Sequence, residues 1–168
     1  MIRSENRIAP VMTDDIAGLR RILASYRTIA MVGLSADWVR PSNFAAKYLI
    51  EHGYTVIPVN PRYEEILGQK SYKSLHDSPV PVDIVDVFRK TVDVMPIAED
   101  AIAIGAKVLW QQIGVLNYEA AATAEAAGLE NVMDRCIKIE HGRLYGGLNW
   151  VGVNTKVISA KRPRQLAY

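Results

Sequence analysis

The residues able to do chemistry in this chain come in short groups. They are Gly33-Leu34-Ser35 with Arg40 and Ser42, Asn60-Pro61-Arg62, Phe88-Arg89-Lys90, Gln112-Ile113-Gly114 and Arg135-Cys136-Ile137. Cations recur across them at Arg40, Arg62, Arg89, Lys90 and Arg135. Hydroxyl, amide and glycine groups fill most of the remaining places. Guanidinium forks match phosphate oxygens, and a few polar groups in a cleft fix the orientation of an organic body. The pattern therefore suits a polyanion with a polar body, as in a nucleotide-type cofactor.

Each group follows a short apolar run, and the elements explain why the groups meet. Ile29-Ala30-Met31-Val32 reads as a first buried strand, apolar on both faces. Residues 54–60 read as a second strand, with Pro58 requiring weak or one-sided pairing. Residues 82–88 form a third, 107–110 begin a fourth, and Val132-Met133 mark a fifth. Helices alternate with them. Residues 13–26 carry an apolar stripe at Ile16, Leu19, Ile22 and Leu23, with Thr13 as the predicted cap. Residues 43–52 follow Pro41, with Ser42 as the predicted N-cap and Gly53 as the stop. Asp93 is predicted to cap a helix with Pro96 in its first turn. Asn117 is predicted to cap an alanine-rich helix over 118–127. Residues 63–78 read as irregular, with a turn at Gly68, and 136–141 as a short, weakly helical segment.

This alternation predicts an α/β, Rossmann-like, doubly wound fold: a mainly parallel five-stranded sheet with helices on both faces. In such sheets ligands bind beyond the carboxyl ends of the strands, where the groups above lie.

The loop after the first strand narrows the ligand class. A dinucleotide site wants Gly-x-Gly-x-x-Gly there, and this chain has only Gly33, with Leu34, Ala36 and Val39 nearby. An acid after the second strand would hold ribose hydroxyls, but Asn60 stands there with Arg62 two residues on. Arg62 suits a ribose phosphate, which both NADP and coenzyme A carry. The phosphate-loop pattern Gly-x-x-x-x-Gly-Lys-Ser/Thr is absent. Charge and spacing leave coenzyme A and NADP open, and the glycine count argues against NADP.

The chain resembles the family of small stand-alone CoA-binding domain proteins, which are similar to the CoA-binding domain of the succinyl-CoA ligase α subunit. The resemblance covers roughly residues 28–145. It rests on Val32-Gly33-Leu34-Ser35, Arg40-Pro41-Ser42, Gly53-Tyr54-Thr55-Val56-Ile57-Pro58-Val59-Asn60-Pro61, Ile66-Leu67-Gly68, Tyr72-Lys73-Ser74-Leu75, Val87-Phe88-Arg89, Trp110-Gln111-Gln112-Ile113-Gly114 and Met133-Asp134-Arg135-Cys136-Ile137-Lys138-Ile139-Glu140. It implies that Gly33, Leu34 and Ser35 hold CoA phosphates through backbone N–H groups and the Ser35 hydroxyl. Arg40 and Ser42 would add charge and a hydroxyl. Val59, Asn60, Pro61 and Arg62 would line the adenosine end. Phe88, Arg89 and Lys90 would face the pantetheine or phosphate side. Gln112, Ile113 and Gly114 would border the pantetheine channel, with Cys136 and Ile137 near its end.

Cys136 is the sole cysteine, which excludes an intrachain disulfide. A buried thiol is ordinarily inert. Its place after the last strand makes exchange with the CoA thiol the other reading. The ligase relatives need a phosphorylatable histidine on a separate domain. His52, His76 and His141 lack a glycine-rich loop, and no metal-spaced cluster or carboxylate pair stands at the sheet edge. Trp38, Trp110 and Trp150 read as packing residues.

The function expected is non-catalytic binding of CoA or an acyl-CoA, as a sensor or carrier. The alternative is an NADP-dependent oxidoreductase or a subunit of an acyl-CoA-handling enzyme. The 168 residues suit one domain, with the N-terminal helix and a basic tail over 153–168 as extensions. A net charge of +2 is no footprint for nucleic acid, and no apolar run approaches a membrane span. The N-terminus has no apolar h-region, so a cytoplasmic location is expected. The composition allows a homodimer or protein partner without requiring either.

Overall fold

The computed structural model describes residues 9–146. The expectations on the extreme N-terminus, on Trp150 and on the basic tail lie outside them.

Five parallel strands form the central sheet: β1 (Thr28–Val32), β2 (Thr55–Val59), β5 (Ile84–Val87), β6 (Val108–Gln111) and β7 (Glu130–Val132). Their order is β2-β1-β5-β6-β7. The chain winds outward from β1 to one edge, then returns past β1 to build the other side. That switch, between β1 and β5, is where a doubly wound sheet opens a crevice at its carboxyl edge. Helices α1 (Ile16–Ser25), α2 (Pro41–Glu51) and α5 (Ile137–Tyr145) cover one face. Helices α3 (Val94–Ala103) and α4 (Tyr118–Ala126) cover the other. The Rossmann-like α/β fold expected from the sequence is the fold found.

Two-residue periodicity separates two cores. Ile29, Met31, Ile84, Val108 and Trp110 pack beneath α1, α2 and α5. Ala30, Val85, Val87 and Leu109 pack beneath α3 and α4. The register aligns Met31, Asp86 and Trp110 in one row across three strands. An acid therefore stands in the first core, fully buried.

Pro58 is tolerated for a clear reason. Strand β2 is the sheet edge. The Val59 carbonyl faces β1 and accepts from Gly33 N at 2.9 Å, while the Pro58 carbonyl faces outward and accepts from Tyr72 N at 2.9 Å. Because N–H and C=O of one residue point the same way, the N–H that proline lacks would have faced the outer side.

Several local expectations are corrected. Asp15, not Thr13, caps α1, accepting from Gly18 N at 2.8 Å. Helix α2 begins at Pro41, so Ser42 sits inside its first turn and Arg40 takes the N-cap place. Pro41 supplies the pre-set φ and lacks only an N–H that the first turn leaves unpaired. Asp93 precedes α3 without making a capping bond, because its carboxylate is turned to Arg89. The irregular stretch holds a hairpin of β3 (Glu65–Ile66) and β4 (Gln69–Lys70), then a 3-10 turn over Leu75–Asp77 closed by a Ser74–Asp77 capping box. Leu67 and Gly68 both adopt positive φ, 53° and 72°, as a tight two-residue hairpin demands. Strands of two residues show no periodicity to read. Helix α5 runs on to Tyr145, beyond the short segment expected.

Candidate functional site

The carboxyl edge carries two adjoining depressions. The first is a polar cleft of about 410 Å³ at the switch point. The ends of β1, β2 and β5 and the start of α2 build it. Gly33, Ser35, Arg40, Ser42, Asn60, Arg62, Phe88 and Arg89 line it, so eight of the residues singled out from the sequence meet there. Asp37, Pro41 and Tyr63 line it too and were not foreseen.

The hydrogen bonds show how the cleft is held. Asn60 Nδ2 donates to Leu34 O at 2.9 Å, and Asn60 Oδ1 accepts from Arg62 N at 3.0 Å. This side chain pins the β1 loop to the β2 loop. Ser42 Oγ accepts from Ser35 N at 3.1 Å, and Asn43 Nδ2 donates to Ser35 O at 2.9 Å. The amides of Gly33 and Ser35 are therefore already donated, to Val59 O and Ser42 Oγ. Of the three loop amides expected to hold a phosphate, those of Gly33 and Ser35 are thus engaged within the protein. The hydroxyl hydrogens of Ser35 and Ser42, the guanidinium groups and the positive end of α2 are the donors the cleft offers instead.

Gly33 also has a different reason from the one the sequence suggested. Its φ is +87°, and a Cβ there would lie 2.5 Å from Phe88 O and 2.8 Å from the Arg89 side chain. Glycine here lets the β5 exit pass close to β1. That passage delivers Arg89 to the cleft.

The cations are weakly tied. Arg40 is 3.8 Å from Asp37, and Arg89 is 3.3 Å from Asp93. Among the described residues no ion pair engages Arg62. All three side chains are exposed. Arg135, grouped with them on sequence, is held elsewhere. It donates to Glu140 at 3.2 Å and to Asp14 O at 3.1 Å, on the α5 side.

The second depression is apolar, about 510 Å³, lined by Pro41, Phe44, Phe88, Gln112, Ile113, Val115, Cys136, Lys138 and Ile139. It shares Pro41 and Phe88 with the cleft, so the two adjoin. Phe88 thus borders both. Of the remaining expected site residues, Val59 and Ile137 are core side chains, and Leu34 is buried with only its carbonyl engaged at Asn60. Pro61 faces a neighbouring surface hollow with Lys70 and Lys73. Lys90 is exposed and lines neither depression. Gly114 makes a turn with φ +82° whose N–H donates to Asp134.

Beneath the apolar pocket lies a buried acid. Asp86 Oδ1 accepts from Gln112 Nε2 at 2.5 Å, and Asp86 Oδ2 has no partner. Desolvation raises its pKa to about 8, against the pull of the Gln112 bond, so the group is protonated at neutral pH. The sequence did carry a signal for it, a single acid inside Ile84-Val85-Asp86-Val87. Burial also pushes the Cys136 thiol up, while the Ile139 and Lys138 amides and the Lys138 charge pull it back.

The histidines stand apart from both depressions. His141 shares a hydrogen with Tyr48 at 2.9 Å and packs edge-on to His52 and Tyr54. Burial lowers its pKa. His76 meets Asp100 at 2.9 Å. Trp110 is buried and donates to Arg135 O, as a packing residue would. Trp38, in contrast, is 74% exposed on the loop before α2, which corrects its expected packing role.

The family model described as a CoA binding domain matches residues 27–142. The uncharacterised protein YneT of Bacillus subtilis (strain 168) is 39% identical over 125 residues, covering 74% of this chain and 93% of its own. A hypothetical protein from Pyrococcus horikoshii OT3 superposes with a TM-score of 0.79 at 45% identity, covering 84% of this chain and 99% of that one. The apo form of a dinucleotide-forming acetyl-coenzyme A synthetase from Ca. Korarchaeum cryptofilum aligns at 26% identity with a TM-score of 0.58. That alignment spans 67% of this chain and 27% of the synthetase.

Proposed function

Because this chain belongs to the CoA-binding domain family, we propose that its carboxyl-edge trench binds coenzyme A or an acyl-CoA. The observation that carries this reading is the join at Pro41 and Phe88 between a three-arginine cleft and an apolar pocket. CoA has the same polarity along its length. Its phosphates need cations and hydroxyls, which Arg40, Arg62, Arg89, Ser35 and Ser42 supply. Its pantetheine arm is slender and mostly apolar, and matches the walls formed by Phe44, Ile113, Val115 and Ile139. Beyond its pyrophosphate NADP carries a polar ribose and nicotinamide, which match these apolar walls less well than pantetheine does.

Binding without turnover is the function we assign, with a sensor or carrier role following from it. The groups facing the trench are cations, hydroxyls, amides and apolar side chains, with the Asp37 carboxylate and the Cys136 thiol. Neither depression is lined by a histidine.

Thermal-shift titration with CoA, acetyl-CoA, NADP and ADP tests the reading, since a ligand that binds only the native state raises Tm. CoA is expected to raise Tm more than ADP does, because ADP reaches the cleft alone. A rise with NADP and none with CoA would overturn the proposal in favour of a nicotinamide-dependent enzyme.

A further inference from the structure

Two polar residues line the apolar pocket beside its hydrophobic walls, and a third stands behind them. Cys136 stands at the N-cap of α5 and lines the pocket. Gln112 lines it as well, although only 4% of the residue is exposed. Asp86 lies behind Gln112, fully buried, in the strand row that faces α2 and α5. The Gln112 bond and the strand row set Asp86 behind the pocket wall, on the sheet face covered by α5, whose N-cap is Cys136.

The open oxygen of Asp86 points to a ligand. A buried polar atom without a partner carries an unrepaid desolvation cost. Protonated, Asp86 is an O–H donor whose second oxygen has no acceptor among the described residues. The pantetheine arm carries amide carbonyls just before its terminal sulfur. An arm laid along the pocket brings a carbonyl towards Gln112, the side chain bonded to Asp86, and the sulfur towards Cys136. Burial pushes the Cys136 thiol up, and Lys138, on the pocket wall, pulls it part of the way back towards the thiolate.

We infer that this pocket is a thiol-exchange site, at which Cys136 forms a mixed disulfide with CoA taken from a CoA disulfide. The inference rests on the reading of the trench as a CoA site. Cys136 loses its proton to solvent, and the thiolate attacks one sulfur of the CoA disulfide. A sulfur–sulfur bond to Cys136 forms as the original one breaks, and the departing CoA thiolate takes up a proton. Cys136 is oxidised and the disulfide reduced by one CoA equivalent. The chain has one cysteine, so no resolving thiol within it can release the adduct. The bound CoA stays until an external thiol attacks. Covalent occupancy then records how oxidised the surrounding CoA pool is.

Intact-mass spectrometry of the purified full chain tests this. The chain is incubated in parallel with CoA disulfide and with the small neutral hydroxyethyl disulfide, at matched concentration. The expected result is one CoA adduct per chain, removed by dithiothreitol and absent in Cys136→Ser. Its rate should exceed that with hydroxyethyl disulfide by on the order of 10²-fold, because binding in the trench orients the sulfur. Equal rates with the two disulfides would overturn the inference. So would no adduct on a chain whose Tm rises with reduced CoA, which leaves the binding reading standing. No rise in Tm with reduced CoA would instead defeat the binding reading itself.

Discussion

Two sets of arginines lie within the same sheet-and-helix frame and are treated in opposite ways. Arg40, Arg62 and Arg89 reach into the cleft, exposed and held at most by one distant or partly exposed acid. Arg135 and Arg143 both donate to Glu140, whose side chain is fully buried, at 3.2 Å and 2.5 Å. A buried carboxylate must be paired to persist, and its partners are thereby fixed. An exposed ion pair is worth little, so its arginine can be exchanged to an incoming anion at small cost. Cations that look equivalent in sequence are divided by burial into structural and ligand-facing groups.

The largest effect is expected where this contrast is sharpest. Glu140→Ala should destabilise the fold by about 3–5 kcal/mol, because two arginines lose a buried partner. Urea denaturation reads this directly. A loss under about 1 kcal/mol would place the Glu140 cluster with the surface pairs and erase the distinction.

Asp86 sharpens the contrast from the other side, as a buried acid with no cation. Its pKa is raised from 3.8 in the unfolded chain to about 8 in the fold. Between those values the folded state holds a proton that the unfolded chain has lost. Stability should therefore fall as pH rises from about 4 to about 8 and level off above that. Asp86→Asn removes this dependence. It should match the wild type near pH 4 and exceed it at pH 8 by on the order of a few kcal/mol. Parallel stability curves for the two proteins across that range would show that Asp86 is not protonated in the fold.

Arg89→Ala and Arg62→Ala should behave unlike Glu140→Ala. Each removes one charged contact worth about 1.5–3 kcal/mol, so Kd for CoA should weaken by about 10- to 100-fold. Stability should stay within about 0.5 kcal/mol of the wild type. Calorimetric titration and denaturation on the same samples separate the two readouts. Unchanged affinity would show that the substituted arginine does not face the ligand.

The smallest effect is the release of Arg89 from its intramolecular partner. Asp93→Asn should tighten CoA binding by no more than about 1 kcal/mol, and less at high salt. Weaker binding would mean that Asp93 orients Arg89 instead of competing for it.

Much of the fold was legible because its signals are local. Helix α2 was announced by Pro41 and Gly53, α4 by Asn117 and Gly128, and the sheet by short apolar runs between helices. The β3–β4 hairpin was not legible, since two-residue strands carry no pattern. The end of α5 was missed because its buried face includes Glu140 and His141, polar residues that break the apolar stripe.

The site divides along the same line. Sequence alone determined that Gly33, Asn60, Arg62, Phe88 and Arg89 sit beyond strand ends, because strand direction in a parallel sheet puts every such loop on one edge. It could not tell Arg135 from Arg89, since only packing shows that an acid five residues on is buried beneath the first and a partly exposed aspartate is all that meets the second. Nor could it show why Gly33 is glycine. The reason is the backbone of Phe88, 55 residues away in the chain and in contact only once β1 and β5 pair. The tertiary structure likewise decided that the polar cleft adjoins an apolar pocket lined by Cys136 and Gln112, with Asp86 behind it. Asp86 lies in β5, Gln112 just past β6 and Cys136 at the start of α5, and no spacing along the chain measures how closely they meet.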